Sequence, residues 1–529
     1  MKKYIVAFFL IVLNQQLHAQ EENRCSSFEL LQKLKNSNPQ YEIQLQQAEI
    51  NLQQYIASHK NGSRNIISVP VVIHLLYNAD SANHKISDWQ ITSQIDALNE
   101  DYRRFNADKI KTPSLFDSVA ADCEIVFCLA KKDPAGNYTT GIIRTETPYS
   151  VFPDFDSPKH TATGGDDAWP YTDYLNIWVC ALQYPMLGYS TFPSAAMDAS
   201  DGVVCHFKAF GRINCFSKKY FLGRTATHEI GHWLNLSHIW GDASGCTPDD
   251  NVGDTPLQDA PHYTCVEFPF SSCSNTSDMF MNYMDYNRDS CMSIFTEGQK
   301  ERMVAAINLF RSSILNSEGC NPPSHFANDI GITQIIYPDA MVTGNFISPT
   351  VTLHNFGSNI VTTATIYYEK NWKSTMHSFN WSGSLAADGG EANITLPAIA
   401  DSNWYNIFCA WTKNPNGVQD ADTTNDFKTK SYYADPIPSE IVEPKKHVDE
   451  QKVFITNSIV TLESNSKENF PKSFSVYNSI GQQLNISAKE LSANKFQFDF
   501  SNCTSGFYFI RNTANNQSSV KRVIVQHDF

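Results

Sequence analysis

Between positions 228 and 238 the chain sets three histidines and a glutamate at spacings that leave little freedom in how it folds there. The run is His228-Glu229-Ile230-Gly231-His232, followed by His238. On a helix, His228 and His232 stand one above the other on a single face. Two imidazoles so placed grip one Zn²⁺ at roughly 2.0–2.1 Å. Glu229, between them, is the residue type that takes a proton from a zinc-bound water. His238 lies beyond the same helical face, so the chain must turn before it. Asn235 stands where that turn is needed, and Asn readily adopts the left-handed conformation. A bare His-Glu-x-x-His arises by accident in long chains. The third histidine at this offset makes accident a poor explanation. Three His ligands leave one zinc position open, as in catalytic rather than structural sites.

The whole pattern, His-Glu-x-x-His-x-x-Asn-x-x-His, resembles the metzincin signature, with Asn235 where Gly is usual. Asn282-Tyr283-Met284-Asp285-Tyr286 resembles the Met-turn of that clan. Met284 is then expected as an apolar floor beneath the imidazoles, and Tyr286 as a donor to the oxyanion of the reaction. Further runs resemble the pappalysin family of metzincins: Val69-Pro70-Val71-Val72-Ile73-His74, Asn99-Glu100-Asp101-Tyr102-Arg103-Arg104, Leu187-Gly188-Tyr189, Phe192-Pro193, Gly223 to Thr227, Trp233-Leu234 and Cys291-Met292. The resemblance spans about Cys25 to Cys320.

That resemblance implies several roles. Leu187, Gly188 and Tyr189 lie on or beside an edge strand that pairs with an extended substrate. Asp250, the Val252 carbonyl, Asp254 and Thr255 are candidate calcium ligands, hard oxygen donors suited to that ion. Cys246 pairs with Cys273, and Cys265 with Cys291, where spacing alone allows three pairings of four cysteines. Some pappalysins prefer a basic residue after the cut, read by an acid just past this last cysteine. Met292 holds that position here, so an apolar or mixed preference is expected, with Asp289 the nearby acid. Cys25, in Asn23-Arg24-Cys25-Ser26, resembles a cysteine switch whose soft thiolate closes the open zinc position in a latent precursor, although Ser26 replaces the usual Gly.

At 529 residues the chain has room for three or more domains. Lys2-Lys3, the apolar run Ile5 to Leu13 and Leu17-His18-Ala19 read as a secretory signal over 1–19. No later segment is long and apolar enough for a transmembrane helix. A net charge of −15 argues against a nucleic-acid partner. Secretion permits disulfides among the 13 cysteines, but Cys123, Cys128, Cys180, Cys205, Cys215, Cys320, Cys409 and Cys503 receive no partner, and most read as small buried hydrophobes.

Residues 20–64 read as a helical pro-region cleaved near Lys60 or Arg64, and 65–322 as an α/β (α+β) metzincin-like catalytic domain with a mixed sheet and an active-site helix. Two all-β sandwich domains follow. The alternating strands of 328–434 resemble adhesion-type Ig-like modules, whose Trp372, Trp381, Trp404 and Trp411 fit a core better than a ligand face. Pro, Glu and Lys mark 435–451 as a linker. Residues 452–529, with Phe474 to Gln482, Ser505 to Ile510 and Lys521 to Val525, resemble the sorting domains of the type IX secretion route, which implies bacterial outer-membrane secretion machinery as a partner. The chain is thus expected to be a secreted or surface-attached zinc endopeptidase acting on proteins or peptides. Its rival is a non-enzymatic adhesin with an inert zinc site, which would not need Glu229.

Overall fold

A computed structural model describes residues 24–59, 66–194, 197–372, 375–401, 405–435, 451–456, 458–464, 473–478, 483–492, 494–503, 506–514 and 517–525. The signal segment, the cleavage positions Lys60 and Arg64, Trp404 and most of the linker lie outside them. The chain divides into two units, Met1–Ile437 and Pro438–Phe529.

The described residues of the first unit open with two helices, α1 (Ser27–Ser37) and α2 (Pro39–Ser58). Asn38 caps α2 by accepting from the Gln40 N–H, and Pro39 sits at the first helical position, where a missing N–H costs nothing. A mixed sheet follows. Its centre is β1 (Ile67–Tyr77), a buried apolar run as expected for a strand covered on both faces. β1 pairs in parallel with β2 (Ile125–Leu129), β3 (Ile142–Glu146) and β4 (Leu175–Cys180). The order across is β2-β1-β4-β6-β5. β5 (Gly188–Ser190) runs antiparallel to β6 (Val203–His206) and forms the edge.

Helix α3 (Asp88–Tyr102), capped by Ser87, lies on this sheet, and α4 (Ser114–Asp117) is a single turn. α5 (Arg224–Trp233) carries the zinc motif and is buried at every residue. It begins after Gly223, whose φ of 82° suits glycine. α6 (Glu297–Phe310) starts with a capping box between Thr296 and Gln299. Between α5 and the short 3₁₀ turn at Asp289–Cys291 no helix or strand forms. Disulfides Cys246–Cys273 and Cys265–Cys291 cross that loop-rich stretch. A third, Cys128–Cys320, joins two cysteines to which the sequence assigns no partner, and ties β2 to the segment after α6. Spacing could not reveal it, because the two cysteines are 192 residues apart.

The rest of the first unit is β-rich. One sheet has the order β13-β10-β7 and another β12-β11-β15-β16-β8, where β7 is Ile330–Tyr337, β8 Met341–Thr343, β10 Thr350–Asn355, β11 Val361–Lys370, β12 His377–Leu385, β13 Glu391–Thr395, β15 Tyr405–Lys413 and β16 Phe427–Asp435. β9 (Phe346–Ile347) pairs with β14 (Ile399–Ala400). Ile330, Val351, Leu353, Ile366, Phe408 and Tyr432 fill the core between them. Trp381 and Trp411 are buried, and Trp411, Trp372 and Phe427 stack around Trp89 of α3. These tryptophans therefore pack the structure rather than face a ligand. Among its described residues the second unit has two four-stranded sheets over a core of Val460, Leu462, Phe496, Phe498 and Ile510. No helix among the described residues is long and apolar enough to cross a membrane.

Candidate metal centre and active site

α5 turns His228 and His232 toward one point, and the chain doubles back at Asn235, whose φ is 72°. The Leu236 N–H then reaches the Gly231 carbonyl at 2.9 Å, and His238 returns to the same point. The three Nε2 atoms stand 3.0–3.2 Å apart. Ligands at 2.0–2.1 Å on a tetrahedron would be separated by about 3.3 Å. Each Nδ1 proton is committed elsewhere: His228 donates to the Tyr283 carbonyl at 2.7 Å, His232 to the Leu236 carbonyl at 2.7 Å, and His238 to the Asp242 carboxylate. Carbonyls and carboxylates only accept, so the three Nε2 atoms all present lone pairs to one another. That arrangement is repulsive without a cation between them, and it fits zinc. Burial, then the neighbouring histidines, holds His228 and His232 well below the usual imidazole range, His232 at about 3, in the neutral form that ligates.

Cys25 completes the set. Its Sγ and the three histidine nitrogens lie within 4.8 Å of one another, all on buried residues. Cys25 Sγ is 3.4 Å from Glu229 Oε2, which also accepts from Ser27 Oγ at 2.8 Å. Burial pushes Glu229 up to about 8. Its Oε1 has no donor among the described residues and faces Gly188, where a Cβ would stand 2.9 Å away. Only glycine lets the edge strand approach the glutamate this closely.

The N-terminal segment lies against that strand. The Ser26 N–H donates to the Gly188 carbonyl at 2.9 Å, and the Ser190 N–H to Ser27 Oγ at 2.8 Å. Tyr286 Oη donates to the Cys25 carbonyl at 3.1 Å. The side chains of Leu187 and Tyr189 turn away. Leu187 packs with Ala209 and Tyr220, and Tyr189 Oη donates to the Phe155 carbonyl. β5 therefore offers its backbone, not those side chains.

Arg24, fully buried, enters a pocket beside the centre. Its Nη1 donates to the Asn287 carbonyl at 2.6 Å, its Nη2 faces Asp289 Oδ1 at 3.3 Å, and its guanidinium lies over the Tyr220 ring. Asp289 is itself held by the N–H groups of Leu222 and Arg224. Met292, expected at the pocket, has its side chain fully buried in the main core, and the groups that meet Arg24 are those of Asn287, Asp289 and Tyr220 instead. The acid facing Arg24 there is Asp289. The sequence marks Asp289 as a nearby acid but does not show Arg24 as its partner, because a pocket built from 220, 287 and 289 exists only once the loops are folded.

Met284 lies under the histidines, against Gly231, with no room for a Cβ between them. Asp101 of α3 ties the parts together. It accepts from Tyr283 Oη and Thr227 Oγ1, each at 2.8 Å, and pairs with Arg224. The calcium expectation fares differently. Asp250 accepts from Thr255 Oγ1 and the Val252 N–H, the Val252 carbonyl accepts from Thr255, and Asp254 accepts from Thr296 Oγ1 and the Gly298 N–H at the start of α6. Thr255 Oγ1 thus gathers Asp250 and the Val252 carbonyl in one turn, whereas Asp254 bonds apart from them at the start of α6.

A family model described as Pregnancy-associated plasma protein-A matches residues 162–308, and one described as Secretion system C-terminal sorting domain matches residues 456–526. An extracellular metalloprotease of Colletotrichum graminicola is 29% identical over 253 residues, 46% of this chain and 78% of that protein. Another, of Arthroderma otae, is 28% identical over 250 residues, 46% of this chain and 80% of that one. Among solved structures, a promirolysin mutant of Tannerella forsythia is 40% identical, with a TM-score of 0.52, over 55% of this chain and 97% of that one.

Proposed function

Since the chain belongs to the pappalysin family, as a secreted zinc metalloendopeptidase with a C-terminal sorting domain, we propose that it cleaves extended peptides ahead of a basic residue and is kept latent by its own N-terminal segment. The observation that carries this reading is the pair Arg24–Cys25: one side chain at the acid of the pocket, the next at the three histidines. His228, His232 and His238 would hold the ion, which would supply a Lewis acid and activate a water. Glu229 is placed to accept a proton from the attacking water and to return it to the leaving amine. Tyr286 Oη, which here donates to the Cys25 carbonyl, donates to the scissile carbonyl as charge develops. The Gly188 carbonyl accepts a substrate N–H as it does that of Ser26. Asp289 then selects Arg or Lys by charge, Arg best, because its fork also reaches the Asn287 carbonyl.

Residues 20–64 act as the pro-region of a catalytic domain over 65–322. We read 328–434 as an Ig-like sandwich, and 452–529 as a small sandwich serving as an address to outer-membrane secretion machinery. The latency is tested with a Cys25→Ser precursor. It should hydrolyse a peptide at least about tenfold faster than the unmodified precursor, because Ser is a poorer zinc ligand than a thiolate. Equal, low activity in both would remove Cys25 as the switch.

A further inference from the structure

Helix α2 is remote from the histidines in sequence, yet it is wired to their turn. Leu52 is fully buried against Ala305 and Ala306 of α6, with Tyr55, Ile56 and Phe310 around them. One turn earlier, Glu49 accepts from Arg302 Nη1 at 2.9 Å and Nη2 at 2.5 Å. The third nitrogen of the same guanidinium, Nε, donates at 2.7 Å to the carbonyl of Asn235, the left-handed residue between the second and third histidines. Arg302 is almost entirely buried, so its charge has little water to fall back on. One side chain thus joins α2 to the zinc motif by a bidentate ion pair, the form of this contact with the most geometric specificity.

The α2 residues that make these contacts, like Arg24, Cys25 and Ser27, all lie on the N-terminal side of residues 60–65. Cutting the chain there breaks none of them. We propose that α6 is a second docking surface for the pro-segment, keyed by Arg302, and that the severed segment stays on the enzyme as a non-covalent inhibitor held at both ends. Activation then takes two events, cleavage and dissociation of the helix. The inference rests on the reading of 20–64 as a pro-region.

The full-length precursor with Glu229→Gln, which prevents self-digestion, is given a single site for a sequence-specific protease within 60–65 and cut. Retention of the released fragment is followed by gel filtration and its dissociation rate by dilution. The fragment should co-elute with the enzyme. Glu49→Gln should speed its release about tenfold, the scale of losing one bidentate charged contact. Leu52→Asn should act in the same direction through the apolar half of the contact, and Cys25→Ser should add to either. Release of the Glu49→Gln and Leu52→Asn fragments at the unmodified rate, with Cys25→Ser alone freeing the segment, would overturn the second surface. The underlying reading has its own readout. A cut precursor carrying the native Glu229 should gain activity only as the fragment is removed. Full activity with the fragment still bound would end the inhibitor reading, whatever the release rates.

Discussion

Each imidazole of the centre is oriented by what it donates to, and these partners differ in how far a sequence betrays them. The ligands follow from helical spacing and one required turn. Their supports do not: the Tyr283 carbonyl, the Leu236 carbonyl and Asp242 come from three different turns. Met292 and Asp289 make the same point. An offset of one residue past a cysteine says nothing about which way a side chain turns, and here the chain turns Met292 into the core. Tyr286 was legible from its motif, and its hydroxyl donates to a carbonyl beside the centre. Tyr286→Phe should therefore lower kcat by about 10²-fold, the scale of one oxyanion donor, with zinc content unchanged. An unchanged kcat in the zinc-loaded variant would assign Tyr286 to packing alone.

Some regular elements carry their signal locally: Ser87 caps α3, Thr296 and Gln299 form the capping box of α6, and β1 is an apolar run. The stretch between α5 and Asp289 could not, because it has no periodicity and owes its shape to disulfides and buried polar pairs. His262 is one such support. It pairs with Asp285 of the Met-turn at 2.7 Å and with Asp278 at 3.5 Å. Burial lowers its affinity for a proton, but the two carboxylates outweigh this and raise it to about 9. The unfolded value is about 6.5, so the charged histidine contributes stability in full below about pH 6.5, and this is lost as pH rises through about 9. Thermal midpoints should fall between pH 6.5 and 9, and His262→Gln should be less stable at pH 6 with a flatter profile across that window. A variant whose profile keeps the slope of the unmodified protein would show that other groups set it.

On the scale of the molecule, the β-rich region after Asn328 is bonded to the catalytic part more tightly than its sequence suggests. Thr429 of β16 donates through its N–H and its hydroxyl to Asp96 of α3, and Ser431 donates to Glu100. Arg212 pairs with Glu100 while donating to Thr429. The onset of alternating strands marks a domain boundary at this point, yet the buried polar network passes across it, since pairings between distant segments leave no local pattern. Arg212→Ala should cost about 3 kcal/mol by leaving Glu100 without its charged partner, and should lower the melting temperature of both parts together. Separate transitions, with the catalytic part unmoved, would show two independent domains.

As proposed, the zinc peptidase reads a basic side chain in its pocket through Asp289. The most direct test is a cleavage profile of the mature, zinc-loaded protein on a proteome-derived peptide library, beside Glu229→Ala. Cuts should fall ahead of Arg, less often ahead of Lys, and all should be absent with Glu229→Ala. Cuts that survive that substitution, or a profile indifferent to basic residues, would contradict that reading.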